Sequence, residues 1–173
     1  MRIMIIGFSG AGKSTLARIL GEHFSIEPVH LDSVYWLPDW KDREREEMKR
    51  IVGDIIKEEN WIIDGTYSYA YLNERAERAD MIIFLDFNRF LCLYRVIKRY
   101  FMYKGKTRPD MGEGCSEKLD FEFIKWVFYE SRKRKKRKKR YELIRNAEKN
   151  GKKVYILKSP EGVRKFLKDL GVM

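Results

Sequence analysis

Short apolar runs recur along the chain, each followed by a polar residue, glycine or proline. Ile3-Met4-Ile5-Ile6 ends at Gly7, Pro28 to Leu31 at Asp32, and Trp61-Ile62-Ile63 at Asp64-Gly65. Met81 to Leu85 ends at Asp86, and Val154 to Leu157 leads to Ser159-Pro160. Strand-length runs without alternation predict strands buried on both faces, the habit of parallel sheets. Between them the period changes to that of helices. Ser14 to Phe24 has this spacing, and residues 43–59 set Met48, Ile51, Val52, Ile55 and Ile56 three and four apart. In residues 88–103 an apolar stripe of Phe90, Leu93, Tyr94, Ile97 and Phe101 predicts the core face. Arg95 and Arg99 fall one turn apart on the opposite face. Residues 118–149 read as one long helix holding Phe121, Ile124 and Phe128. The alternation predicts an α/β fold, a parallel sheet with helices on both faces. Ligands of such sheets bind beyond the carboxyl ends of the strands, so the residues after each strand are predicted to share one rim.

The first strand leads into Gly7-Phe-Ser-Gly-Ala-Gly-Lys-Ser-Thr15, a full G-x-x-x-x-G-K-[ST] phosphate loop between strand and helix. Gly7, Gly10 and Gly12 let successive backbone N–H groups turn into one concavity, and the next helix adds the positive end of its dipole. Lys13 supplies a full charge to β- and γ-phosphates, and the Ser14 hydroxyl is a ligand for Mg²⁺. The expected ATP-binding set is therefore Gly7, Ser9, Gly10, Ala11, Gly12, Lys13, Ser14 and Thr15. A second irregular segment, Lys104 to Glu117, has three glycines, one proline and no apolar period. Such long loops in compact domains are often lids.

The length of 173 residues and the 44% hydrophobic content suit one core. No apolar stretch reaches membrane-spanning length, and the N-terminus lacks the features of a signal peptide. The expectation is a cytoplasmic protein without a membrane partner. Cys92 and Cys115 have no C-x-x-C spacing and read as packed thiols. The net charge is +11, and the unbroken run Arg132 to Arg140 carries nine of those charges. That run is either a polyanion-binding tract or the solvated part of a long helix, and it holds no aromatic residue for base stacking. His23 and His30 lack metal-ligand spacing and read as a helix-surface and a strand residue.

The order of these parts resembles the adenylate-kinase-like nucleoside and nucleotide kinases. A closer resemblance is to the group called DNA topology modulation proteins, on His30-Leu31-Asp32, Trp61 to Gly65, Ile83 to Asp86, Gly105 to Met111 and Glu113 to Asp120. It implies a three-layer P-loop kinase fold with a parallel five-stranded sheet, helices on both faces and a lid. It also implies a single domain over 1–173, with an acceptor segment at about 33–60 and a lid at about 104–117. Asp32 would orient or deprotonate an acceptor hydroxyl, or cap the next turn. Asp64 would hold the Mg²⁺ water shell, or form a strand-ending turn. Arg95, Arg99 and Arg108 would grip phosphates as the lid closes. Ser159 and Pro160 would lie against adenine. Adenylate kinases follow Asp-Gly with Phe-Pro-Arg, whereas here Thr66-Tyr67-Ser68 follows, so a phosphate-gripping arginine is absent from that position. Tyr35, Trp36 and Trp40 are packing residues or a stacking surface.

The leading expectation is Mg²⁺-dependent transfer of the ATP γ-phosphate to a small molecule, with nucleosides and nucleotides among the candidates. The alternative is a nucleic-acid-binding, NTP-dependent regulator linked to DNA topology that uses 132–140. A third reading is a slow ATPase acting through a protein partner.

Overall fold

A computed structural model describes residues 1–172. In chain order the elements are β1 (Arg2–Gly7), α1 (Lys13–Phe24), β2 (Pro28–His30), α2 (Leu31–Tyr35), β3 (Trp36–Leu37) and β4 (Lys41–Asp42). There follow α3 (Arg45–Ile55), β5 (Trp61–Asp64), α4 (Leu72–Arg78), β6 (Met81–Leu85) and α5 (Arg89–Tyr103). The last are α6 (Phe121–Phe128), α7 (Arg134–Lys149), β7 (Lys153–Leu157) and α8 (Pro160–Asp169).

The apolar runs become one parallel sheet in the order β2-β5-β1-β6-β7. Ile3 to Ile6 and Ile82 to Phe84 are wholly buried, as helices on both faces require. The chain lays β2 and β5 on one side of β1 and β6 and β7 on the other. The crevice of such a switch opens at the carboxyl end of β1, where the glycine loop sits. Register sets Asp64 level with both Ile5 and His30, and Leu85 level with Gly7.

Two helical expectations need correction. Residues 118–149 are not one helix: α6 ends at Phe128, a 3₁₀ turn covers Glu130–Arg132, and α7 starts at Arg134. No glycine or proline marks the break. It turns buried Ser131 back onto Val127, and Arg132 donates to the Val127 and Phe87 carbonyls. On α5 the buried positions are Cys92 and Val96, whereas Phe90, Tyr94 and Phe101 are 67%, 61% and 70% exposed. The stripe that looked like the core face is largely outside. The face bearing Arg95 and Arg99 turns toward the glycine loop and Lys104–Glu117, which pays for its charges with specific partners.

Segment Lys104–Glu117 is irregular, as its composition predicted, and it is packed rather than free. Isolated bridges pair Lys104 with Glu117 and Thr107 with Ser116. The Trp40 indole donates to the Ser116 carbonyl at 2.9 Å, and the Cys115 thiol to that of Leu37 at 3.2 Å. A Cβ on Gly112 would lie 2.4 Å from the Trp36 carbonyl oxygen, so the chain passes there as glycine. Among the described residues no helix is long and apolar enough to cross a membrane.

Candidate active site at the carboxyl rim of the sheet

The glycine loop owes its shape to its neighbours as well as its composition. Gly10 has φ +78°, and a Cβ there would stand 2.4 Å from the Cys92 carbonyl oxygen of α5. We expect Gly10→Ala to cost about 2 kcal/mol or more, from left-handed backbone strain plus the clash. Thermal denaturation checks this, and an unchanged midpoint would show that the loop is not braced by α5.

Gly12, at φ +94°, is the N-cap of α1, and no side chain caps that helix end. Its first-turn N–H groups are thus available for an anion. The Lys13 amine folds over the loop, 3.4 Å from the Phe8 carbonyl. Arg95 donates to the Ala11 carbonyl at 3.2 Å, which brings a guanidinium to the loop's edge. This uncapped helix end flanked by two cations fits a polyphosphate.

Two carboxylates, Asp64 and Asp110, act on His30. Asp64 is buried, and His30 Nδ1 lies 2.8 Å from its Oδ2. Burial weakens the basicity of His30, but the hydrogen bond and charge of Asp64, together with Asp110, more than offset this and raise its pKa. Asp110, from segment Lys104–Glu117, is raised by burial. Arg108, the Ser14 hydroxyl and His30 outweigh that, so its carboxyl lies below the usual value. The hydroxyl and carboxylate oxygens of Ser14, Asp64 and Asp110 are hard donors that fit Mg²⁺. No group of three His, Cys, Asp or Glu among the described residues forms a metal cage. That suits an ion carried largely by phosphate and water oxygens.

Arg99 and Arg108 meet on one carboxylate. Arg99 Nε lies 2.9 Å from one Glu117 oxygen and Arg108 Nε 2.6 Å from the other, while Arg108 Nη1 reaches Asp110 at 2.9 Å. Glu117 and Arg108 are almost fully buried. Sequence reasoning placed Arg95, Arg99 and Arg108 in the site but missed Glu117, Asp110 and His30. The strand register that sets His30 level with Asp64 appears only in the folded sheet.

Asp32 Oδ1 accepts from the Tyr67 hydroxyl at 2.8 Å. Burial and the Asp32 charge push the Tyr67 hydroxyl far above its ordinary pKa, so it stays a donor. At the far end of the rim Ser159 caps α8 by accepting from Gly162 N, and Pro160 opens the helix. Their side chains thus have a local structural task at the start of α8.

The basic run is not uniformly solvated. The Arg132 guanidinium lies 3.7 Å from the Phe8 ring centre and donates to Cys92 Sγ at 3.2 Å. That of Arg140 lies 4.7 Å from the same ring. Burial and the charge of Arg132 draw Arg140 down to about 10. Among the described residues neither arginine has a salt-bridged carboxylate, so two cations converge on the glycine loop. Arg137, with Tyr141, instead holds Asp86. Lys133, Arg134, Lys135, Lys138 and Lys139 are exposed.

The chain resembles solved kinases over nearly its whole length. Shikimate kinase from Bacteroides thetaiotaomicron matches with a TM-score of 0.60 at 16% identity, covering 99% of this chain and 98% of that one. Shikimate kinase from Acinetobacter baumannii in complex with shikimate matches at 0.57 and 18%, covering 98% and 93%. Deoxyadenosine kinase from M. mycoides with bound dATP matches at 0.52 and 15%, covering 99% and 100%. The uncharacterized protein YqaC of Bacillus subtilis (strain 168) is 27% identical over 127 residues, 72% of this chain and 70% of its own. No family model matches the chain. The five-stranded parallel sheet with flanking helices is the fold of P-loop kinases.

Proposed function

We propose that the protein is a Mg²⁺- and ATP-dependent phosphotransferase acting on a small-molecule hydroxyl. The observation that carries this reading is the sharing of one rim by an uncapped glycine-loop helix, a lid and the Asp32–Tyr67 pair. Lys13, Arg95 and the α1 amides would hold the phosphates. Ser14 directly, and Asp64 through water, would hold Mg²⁺, which screens phosphate charge when bound. Asp32 would align the acceptor hydroxyl and receive its proton. The acceptor oxygen would bond to the γ-phosphorus as the bond to the bridging oxygen breaks and ADP leaves with that electron pair. Lid residues 104–117 would exclude water, with Arg99 and Arg108 exchanging Glu117 for the phosphoryl group. The resemblance to the DNA topology modulation group rests on the same lid motif. Transfer from γ-labelled ATP to a panel of small acceptors, with Lys13→Ala as control, tests the reading. Label found only in inorganic phosphate would refute it in favour of an ATPase.

The contacts of Arg132 and Arg140 with the Phe8 ring of the glycine loop support a part for these two residues of the basic run in the proposed nucleotide site. We expect Arg132→Gln with Arg140→Gln to weaken ATP binding about tenfold, as loss of charged hydrogen bonds or cation contacts does. Lys135→Gln, Lys138→Gln and Lys139→Gln together should leave it unchanged. Calorimetric titration of both proteins decides, and equal behaviour would remove the run from the site.

A second reading, nucleic-acid binding, is favoured by one observation. Lys136 lies 4.0 Å from the exposed Trp126 ring and Lys133 5.8 Å from that of Tyr129. The fold thus supplies from α6 the aromatic groups that the run itself lacks. Oligonucleotide affinity that falls steeply with salt, and less steeply in the triple lysine variant, is the expected signature.

A further inference from the structure

The acceptor side of the rim says what kind of molecule the proposed transfer would serve. Its walls are α2, the β3–β4 hairpin and the loop after β5. Tyr35 packs on Tyr67 with ring centres 5.1 Å apart, Tyr67 on Tyr69 at 6.0 Å, and Trp36 on Trp40 at 5.3 Å. Beside this aromatic wall lies the Asp32–Tyr67 pair, in which Tyr67 donates to one Asp32 oxygen and so fixes the carboxylate. The two arginines turned inward here are fully engaged by the protein. Arg75 is wholly buried and donates to the Ala70, Gly65 and Tyr67 carbonyls, each at 3.0 Å. With no carboxylate bound to it, burial draws it down to about 10. Arg43 donates to the Val34 carbonyl at 2.6 Å and pairs with Glu47. The exposed cations Arg45 and Lys118 lie over the Tyr69 and Trp40 rings, at 5.3 and 5.0 Å. Asp32 adds negative charge, and Asp64 and Asp110 are already paired with His30 and Arg108. An anionic acceptor would displace a structural arginine, draw Arg45 off the Tyr69 ring or meet the Asp32 carboxylate, and each is costly.

We propose that the acceptor is an uncharged hydroxyl compound, held by Asp32 against the Tyr35–Tyr67–Tyr69 wall, and not a phosphate monoester or a carboxylate. This rests on the phosphotransferase reading. The neutral hydroxyl donates to Asp32, whose Oδ1 also holds the Tyr67 hydroxyl, while an aromatic or sugar face packs on the rings.

The test uses the full chain, γ-labelled ATP and Mg²⁺. A deproteinised cell extract is split on an anion exchanger into flow-through and bound fractions, each offered as acceptor. Deoxyadenosine against dAMP, and shikimate as a carboxylate, serve as defined probes. Label is expected in products from the flow-through at least tenfold faster than from the bound fraction, and Asp32→Asn should abolish it while ATP binding persists. Equal or faster labelling of the bound fraction, of dAMP over deoxyadenosine, or of shikimate overturns the proposal. No organic label from either fraction, with Mg²⁺-ATP still bound, refutes the phosphotransferase reading and this inference with it. The two failures are therefore distinct.

Discussion

Lys13→Ala is expected to lower ATP turnover by two to three orders of magnitude, about 3–4 kcal/mol of transition-state stabilisation. Lys13 opens α1, and its amine already lies over the loop, 3.4 Å from the Phe8 carbonyl. Removing it takes away a full charge from a loop whose remaining donors are backbone amides and the guanidinium of Arg95. The fold should survive, because this side chain packs in no core cluster. Calorimetry with ATP and Mg²⁺, alongside steady-state turnover, measures the change. Full affinity and full turnover in a normally melting variant would remove the glycine loop from the chemistry.

Glu117→Ala is expected to have the next largest effect, on segment Lys104–Glu117. Glu117 is almost fully buried and sits between Arg99 and Arg108. Truncating it leaves two guanidiniums facing each other without their shared counter-ion, a change that costs about 3–5 kcal/mol in buried pairs. The cost should fall locally. Hydrogen exchange across 104–117 should rise, while β1 and β6 stay protected. Glu117→Gln should be intermediate, since it keeps the shape and one acceptor oxygen. A bound ATP analogue should partly restore protection, because its phosphates could replace the lost carboxylate. Unaltered exchange without nucleotide would show that the segment is docked by Trp40, Cys115 and Gly112 alone.

The strands and the glycine loop were legible because each is written in contiguous residues. Ile3 to Thr15 contains its own strand, turn and helix start, and the other apolar runs leave no alternative to a sheet covered on both faces. The face of α5 was misread for a physical reason. Amphipathic analysis assumes that charged residues seek water, and this helix turns Arg95 and Arg99 toward a loop and a carboxylate instead. The break at Tyr129–Lys133 was invisible because no local breaker causes it. It is stabilised by contacts of Ser131 and Arg132, the latter reaching Phe87 and Cys92 some forty residues away. For the same reason the basic run read as one block, although Arg132 and Arg140 face Phe8 and Lys133, Lys135, Lys138 and Lys139 face solvent. Pairings such as Arg99–Glu117 and His30–Asp64 cross between elements, and single-sequence periodicity carries no record of them.

The outward stripe of α5 bears on how the protein behaves in bulk solution. Phe90, Tyr94, Phe101 and Met102, with Phe121 of α6, put large apolar groups at the surface of a molecule of net charge +11. At low ionic strength like charges keep such molecules apart. At 0.1 M salt the screening length falls to about 10 Å, and the apolar groups can meet before the charges repel. Adding a simple salt should therefore increase light scattering instead of clearing it, and replacing Phe101 and Phe121 by serine should suppress that rise.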